Sequence, residues 1–470
     1  MLTVAKVLEA FGMSSGGLTY NSLVSGACVD SRKVSPGSLF IALSGENNDG
    51  HNFVDAAFKN GAVMALVEHE IESTYPIYRL GEAIENHGET PFSLLIPNTL
   101  AGLQEVAAWW RKQFELPVIG ITGSVGKSST KETLAGILSA KFNVLKNQAN
   151  LNNEIGLPLT LLSLNEKHQV AVLEMGFYVP GEIELLCQIA LPKIGIITNI
   201  GTVHAERAGD IETIARGKSE LVQALPSNGL AVLNYDDIHV RTMAKNTSAK
   251  IISYSLHSEA TLWADEIESL GLDGIRFNVH FEGNCHKLSS SLLGKHSVYN
   301  LLASFAVALE LGMNWDEIER ALQTEDILQR VRVFEHRSGA KIIDDSYNAS
   351  PTSTIAALDL LESLNGFKIA VLGDMLELGQ YETEGHQEVG RKAAEVANQI
   401  ILIGPRSKIT AEAIYSHASS ANLPVSWFQS STEAAEFLQS LLTAGQTVLI
   451  KGSHGMRMDK IIVALEEKNE

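Results

Sequence analysis

This sequence has little with which to cross-link itself or enter a membrane. Its three cysteines, Cys28, Cys187 and Cys285, stand far apart and form no disulfide or zinc pattern, which fits a reducing, cytoplasmic setting. No uninterrupted apolar run approaches membrane-spanning length, so membrane insertion is not expected. The opening MLTVAKVLEAFGM places Val4, Val7, Leu8 and Phe11 at helical spacing. Glu9 interrupts it and no cleavage site follows, so it reads as a surface helix rather than a signal peptide. Positive charge is scarce: 36 Lys and Arg stand against 55 Asp and Glu, a formal net charge of −19. That balance argues against non-specific binding to nucleic acid or anionic membrane. It leaves room for anionic small molecules, which need only local clusters of cations and backbone N–H groups. Short-period repeats and low-complexity tracts are absent too.

What the sequence does have is length and apolar content. At 470 residues and 45% hydrophobic, it is too long for one ordinary core, and two or three domains are expected. The first ~95 residues mix short strand-like runs (SLFIAL, AVMALVE) with the turn signals SPGS and NNDGH. Residues 99–114, TLAGLQEVAAWWRKQF, read as a helix. Apolar runs then alternate with helices: PVIGIT, VAVLEM, IGIITNI and LAVLNY, and later KIIDDS, KIAVLGD, QIILIG and QTVLIKGS. Such alternation implies parallel sheets covered on both faces. With a break near residues 325–328, the expectation is an α/β protein of three domains. These are a small N-terminal α/β domain (1–97), a central P-loop parallel-sheet domain (98–327) and a C-terminal Rossmann-like domain (328–470).

One stretch carries chemistry by itself. GITGSVGKSST, residues 120–130, resembles a phosphate-binding loop, but Ile121 stands where the standard G-x-x-x-x-G-K-[ST] pattern begins with glycine. The shorter G-x-x-G-K-[ST] remains. A strand, a glycine turn and a helix in that order aim backbone N–H groups at phosphate oxygens. Gly123, Ser124, Val125, Gly126, Lys127, Ser128 and Ser129 are therefore the expected nucleotide contacts. Lys127 would neutralise the terminal phosphates, and the Ser128 hydroxyl would ligate Mg²⁺. Magnesium takes oxygen ligands and few of them from protein. Glu174, ending VAVLEMG, and His204, after ITNIGTVH, stand at strand ends that should face this loop. Lys218, in ARGKSE, reads on its own as a solvated helix lysine.

Five stretches in one order resemble the central domain of the Mur ligases, the ATP-dependent enzymes that build the cell-wall peptide. They are TGSVGKSSTKE (122–132), NLNNEIGLPLTLL (150–162), LEMG (173–176), NIGTVH (199–204) and GKSE (217–220). DSRKVSPGSLFIALSGENNDGHNF, DDSYNASP (344–351), GDMLELG (373–379) with His386 downstream, and KGSHGMRMDKII extend the likeness over nearly the whole chain. Within the family these point to the activity that joins D-alanyl-D-alanine to UDP-N-acetylmuramoyl-tripeptide. The resemblance implies a two-step reaction: ATP phosphorylates the tripeptide's terminal carboxylate, and the dipeptide amine attacks the acyl phosphate. It implies two Mg²⁺ ions, one on Ser128 and Glu174, the other on His204 and a carbamylated Lys218. LLGKHSVYNLLAS resembles the family's adenine-contacting helix, with Asn300 in that role and Ser297 replacing an Asn. Arg330 stands where the family has a Gly-Arg pair, Gln329 replacing the glycine, and Arg332 is its rival for the phosphate. Asp345 and Asn348 would face the nucleotide, while Ser350 reads equally as a helix cap.

The UDP end is expected on the N-terminal domain at Ser31, Arg32 and the loop of Gly45, Glu46, Asn47, Asp49, Gly50 and His51. Acceptor candidates between the central and C-terminal domains are Asp374, Glu377, His386 and the basic KGSHGMR. A monomer is expected. Rival readings are another amide ligase on this fold, such as the ligase adding the third amino acid or folylpolyglutamate synthase, which DSYNASP and GDMLELG disfavour. A P-loop ATPase or kinase would turn over nucleotide without an amine acceptor. A non-catalytic UDP-sugar scaffold would not need Lys127, Ser128, Glu174 and Lys218.

Overall fold

The computed structural model describes residues 1–13, 22–45, 48–82, 91–257, 260–324, 331–417 and 423–466. Glu46, Asn47, Arg330 and the expected break at 325–328 lie outside the described residues. Three sheets follow one another along the chain. The first contains β1 (Gly26–Cys28), β2 (Ser38–Ile41), β3 (Met64–Val67), β4 (Ile77–Arg79) and β5 (Phe92–Leu95), all parallel, in the order β1-β2-β3-β5-β4.

The central sheet has nine strands: β6 (Val118–Thr122), β7 (Val144–Lys146), β8 (Val170–Glu174), β9 (Ile194–Ile197), β10 (Leu230–Asn234), β11 (Lys250–Ser255), β12 (Leu262–Ser269), β13 (Ile275–Phe281) and β14 (Asn284–Ser290). Their order is β14-β13-β12-β11-β10-β9-β6-β8-β7. Every position of β6, β8, β9 and β10 is buried. That explains why these strands are continuous apolar runs: helices cover both faces of a parallel sheet. The antiparallel meander β12–β14 departs from the expectation of an all-parallel sheet. Its strands alternate buried and open positions, as suits a sheet with one wet face.

The third sheet contains β15 (Arg332–Glu335), β16 (Lys341–Asp345), β17 (Phe367–Gly373), β18 (Gln399–Ile403), β19 (Val425–Phe428) and β20 (Gln446–Lys451). The order is β15-β16-β20-β17-β18-β19, parallel except for β15 at one edge. The fold is thus mixed α/β, with parallel-rich sheets.

The helix Thr99–Arg111 joins the first sheet to the second. Asn98 caps it by accepting from the Ala101 N–H at 2.7 Å, and its buried Val106 and Trp110 share one core with Leu39, Met64, Leu173 and Leu221. Arg111 is buried and donates to the carbonyls of Ala190, Phe114 and Leu116, which pins the connection into β6. On the opposite face of the central sheet, helices Lys127–Ser139 and Ser297–Glu310 pack over Ile119, Ile121 and Val172. The register pairs Ile121 with Glu174 and Thr122 with Ile197, so β6, β8 and β9 end side by side. The C-terminal sheet brings Asp345 and Lys451, register partners, to the end of β16 and β20. Among the described residues, no helix is long and apolar enough to cross a membrane.

Candidate active site

The glycine turn after β6 has its geometry forced by packing. Gly123 has φ +144°, and a Cβ there would stand 1.9 Å from Thr198 Oγ1; Gly126 has φ +86° and opens the helix Lys127–Ser139. Residues after β9 hold the turn from behind. Thr198 Oγ1 donates to the Val125 carbonyl at 2.6 Å, and Asn199 accepts from the N–H groups of Ser124 (2.8 Å) and Val125 (2.9 Å). Ser124 and Val125 line the cavity, with their N–H groups taken by Asn199. The first helical hydrogen bond is Thr130 N–H to the Gly126 carbonyl, so Lys127, Ser128 and Ser129 present N–H groups at the helix start. Lys127 Nζ donates to the Gly123 carbonyl at 2.8 Å.

Glu174 ends β8 almost fully buried. One carboxylate oxygen accepts from Asn152 Nδ2 at 2.8 Å; the other, Oε2, has no hydrogen-bond partner. Lys131 Nζ, also buried, stands 3.8 Å from that oxygen and is occupied by the Asn147 carbonyl at 2.8 Å. A buried carboxylate oxygen without a donor is costly unless a cation completes it, so the donor set fits a hard divalent ion. Lys218 is fully buried rather than solvated, against its bland reading. Its Nζ donates to the Gly123 carbonyl at 3.0 Å and lies 4.6 Å over the Phe177 ring. Burial, with Lys127 next in effect, drives this amine's pKa well below the ordinary lysine range. His204 has φ +68°, and its Nδ1 meets Glu377 Oε2 at 2.6 Å. Burial first, then Lys127, Lys218 and Arg207, pulls its pKa down to about 3. A carboxylate oxygen accepts, so this contact calls for the hydrogen on Nδ1, which in a neutral ring leaves the Nε2 lone pair free.

A cavity of about 920 Å³ opens from this turn, between the central and C-terminal sheets. Ser124–Ser129, Glu174, His204 and Asn300 line one side, and Asp345, Asn348, Glu377 and Lys451 line the other. Asn300 Oδ1 accepts from Thr130 Oγ1 at 3.1 Å. Asp345 is paired with Lys451 at 2.6 Å, and Lys451 also donates to the Asn348 carbonyl at 2.9 Å. Arg332 sits apart on β15, held by Glu466 at 2.8 Å and Asp344 at 3.5 Å. Ser350 is the N-cap of helix Pro351–Glu362, with a reciprocal Ser353 capping box.

Two acceptor candidates are structural. The Asp374 carboxylate is buried and accepts the N–H groups of Ser407 (2.7 Å) and Arg406 (3.2 Å) at the start of helix Ser407–Ser416; burial pushes its pKa up. His386 is buried too, accepting from the Met375 N–H at 3.2 Å and meeting the Glu382 carbonyl at 2.8 Å. Neither lines the cavity; of the three, only Glu377 does.

The N-terminal candidates lie on the first sheet, away from this cavity. Ser31 and Arg32 form a single 3-10 turn, with Arg32 forked onto Asp30 at 2.8 and 2.9 Å. Gly50 is required by packing, since a Cβ would stand 2.7 Å from the Leu43 carbonyl oxygen. His51 is turned inward: Nδ1 faces Asp49 at 2.6 Å and Nε2 accepts from the Glu68 N–H at 3.0 Å. Its ring is thus committed within the fold. Asp49, His51 and His69 cluster closely enough to suggest a cation site, yet both His51 nitrogens are already used. Sequence reasoning gave Asn152, Asn199 and Lys131 no individual role, although each lies in one of the quoted stretches, and it met Lys451 only as part of the basic KGSHGMR.

A glycine turn at a helix start, a buried carboxylate and a second domain across the cavity define an enzyme that works on a nucleotide phosphate between domains. Comparison with known proteins narrows the class. Residues 121–308 match the Mur ligase middle domain, 329–454 the Mur ligase glutamate ligase domain, and 24–89 the Mur ligase family catalytic domain. The chain is 34% identical over 472 residues to UDP-N-acetylmuramoyl-tripeptide--D-alanyl-D-alanine ligase of Synechocystis sp., covering 100% of this chain and 98% of the relative. Its structure resembles MurF from Acinetobacter baumannii, with TM-score 0.85, 31% identity and 99% and 98% of the two chains covered. MurF ligase from Thermotoga maritima in complex with ADP gives TM-score 0.81 at 26% identity, over 96% and 100%. The chain is an ATP-dependent amide ligase. It belongs to the Mur ligase family.

Proposed function

We propose that this chain joins D-alanyl-D-alanine to UDP-N-acetylmuramoyl-tripeptide in peptidoglycan synthesis, with ATP giving ADP and phosphate. The tripeptide's terminal carboxylate oxygen attacks the γ-phosphorus and ADP leaves. The dipeptide's amine then attacks the acyl carbon, and the tetrahedral intermediate expels phosphate, leaving an amide. The observation that carries this reading is the glycine turn and its helix start opening, beside an oxygen of buried Glu174 that lacks a hydrogen-bond donor, into a cavity walled by a second domain.

Two anions must meet in line, so the protein's task is to cancel their repulsion and hold them. Lys127 and the N–H groups at the helix start balance charge on the β- and γ-phosphates. Ser128 and Glu174 would hold one Mg²⁺; His204, through Nε2, and Lys218 would hold a second. Magnesium supplies electrostatic stabilisation of the phosphoryl oxygens. CO₂ adds to the unprotonated amine with loss of a proton, and burial shifts Lys218 toward that form, which supports a carbamate that would offer oxygen to a cation. Asn300 would contact adenine, and Asp345 and Asn348 would approach the nucleotide from the C-terminal domain. The UDP end would lie on the N-terminal sheet, near Ser31, Arg32, Gly45, Asp49 and Gly50. The acceptor would enter between the central and C-terminal domains. The chain would act as a monomer, and the unpaired cysteines support a cytoplasmic location. The three-domain division proposed from sequence has its central-to-C-terminal boundary near 325–328.

Phosphate release from ATP, measured with each substrate omitted in turn, tests the reading. Release is expected only with the UDP-tripeptide and the dipeptide both present; release indifferent to the dipeptide would favour an ATPase or kinase.

A further inference from the structure

Glu377 and His204 meet across the boundary between the central and C-terminal domains, and each has a positive φ, uncommon outside glycine. His204 has φ +68° and Glu377 φ +63°, left-handed values that L-residues with side chains seldom adopt. Such strain persists where the surroundings over-determine it, and it gathers at ligand clamps and switches. Three further contacts fix this junction. The Glu377 carbonyl accepts the Glu206 N–H at 3.3 Å. Gly379, with φ +54°, packs so closely that a Cβ would stand 2.9 Å from Glu206 N. The Leu376 N–H donates to Ser453 Oγ at 2.8 Å, which ties the loop to its own domain. On the other side, Tyr178 meets the His204 ring edge-on at 4.9 Å, and the Arg207 guanidinium lies 4.6 Å over Tyr178.

We infer that Glu377 is a positioning residue: docking of the C-terminal domain places its carboxylate on His204 Nδ1 and fixes the imidazole with Nε2 free for a cation. The inference rests on the proposed function, and it moves Glu377 from acceptor contact to partner of His204. A carboxylate on the far nitrogen of a ligating imidazole sets its tautomer and raises its basicity. Here that carboxylate belongs to another domain. The cation site is therefore complete only when the domains are closed, and an ATP-loaded but open enzyme lacks an oriented His204. Water reaching the phosphates in the open form meets an incomplete site.

The test uses the full-length enzyme with Glu377→Ala, Glu377→Gln, His204→Ala and the Ala–Ala double variant. Mn²⁺ binding with an unreactive ATP analogue is read by electron paramagnetic resonance, and closure by small-angle scattering with analogue and UDP-tripeptide. Glu377→Ala is expected to weaken the second Mn²⁺ by about 10–100-fold and to reduce compaction. It should lower kcat by a similar factor and leave the dipeptide KM within about twofold. Glu377→Gln keeps an oxygen that accepts from Nδ1–H and should recover much of the loss. In the His204→Ala background, Glu377→Ala should cost little more. A raised dipeptide KM at unchanged kcat would overturn the inference in favour of an acceptor contact. Unchanged Mn²⁺ binding and closure, or an undiminished loss without His204, would also overturn it. The Mn²⁺ and scattering readings need no turnover. Failure of the wild type to ligate the dipeptide would instead overturn the proposed function.

Discussion

Replacing Gly123 by alanine tests whether the turn is forced by its neighbours. The new Cβ would stand 1.9 Å from Thr198 Oγ1 and 3.1 Å from Asn199 N, at a backbone angle of φ +144°. Thr198 cannot yield freely, because its hydroxyl holds the Val125 carbonyl at 2.6 Å. The unfavourable backbone costs about 1–3 kcal/mol, and forcing extra volume into a packed site costs about 1–3 kcal/mol more. A total of about 2–6 kcal/mol corresponds to a fall of roughly 4–24 °C in the melting temperature of a domain of about 200 residues. Because Lys127 and Lys218 both donate to the Gly123 carbonyl, ATP binding should weaken along with stability. Thermal denaturation and ATP-analogue calorimetry on Gly123→Ala, Thr198→Ala and the double variant give the check. Removing Oγ1 relieves the overlap but not the strain, so the double variant should be more stable than additivity predicts, by about 1–2 kcal/mol. An alanine variant that melts and binds ATP like the wild type, or strictly additive losses, would refute the packing argument.

Glu174→Gln removes the charge on a buried oxygen that has no hydrogen-bond donor. It should lower kcat by at least about 10-fold at fixed Mg²⁺, and a Mg²⁺ titration identical to wild type would contradict that. Lys218→Met should abolish turnover while flattening the dependence of stability on pH. The depressed folded pKa means that the unfolded chain binds more protons between that value and about 10.4, so wild-type stability rises with pH through that window. Melting curves in CO₂-free buffer from about pH 7 to 10 read the slope, and an equal slope in both proteins would be the failure. Asp374→Ala should lower stability by about 1–2 kcal/mol, as loss of a helix cap does, and leave the dipeptide KM unchanged in steady-state assays. A raised KM at unchanged stability would return Asp374 to the acceptor site.

The strands that build the site were legible because burial on both faces writes them as unbroken apolar runs: β6, β8, β9 and β10 fall within the predicted segments. The meander β12–β14 was not, since its one-sided burial spreads apolar residues thinly through LWADEIES and NCHKLSS. The turn was plain from its glycines and lysine. The partner that takes the Val125 N–H, Asn199, lies 74 residues away, and although it opens NIGTVH nothing in that stretch says which N–H it holds. Burial decided the rest. Nothing around Lys218 in sequence says that Phe177 and Gly123 will enclose it. Likewise, Asp374 in GDMLELG and His386 downstream of it suggest substrate contact, but Asp374 accepts backbone N–H groups and His386 is held between the Met375 N–H and the Glu382 carbonyl.

The central claim is that the γ-phosphate of ATP passes to a carboxylate. Tripeptide substrate labelled with ¹⁸O in its terminal carboxyl group tests this directly, by mass spectrometry of the released phosphate. Phosphate carrying one ¹⁸O atom from the labelled carboxyl is the predicted result, because that oxygen bridges carbon and phosphorus and leaves with phosphorus. Unlabelled phosphate, with product formed, would contradict the account.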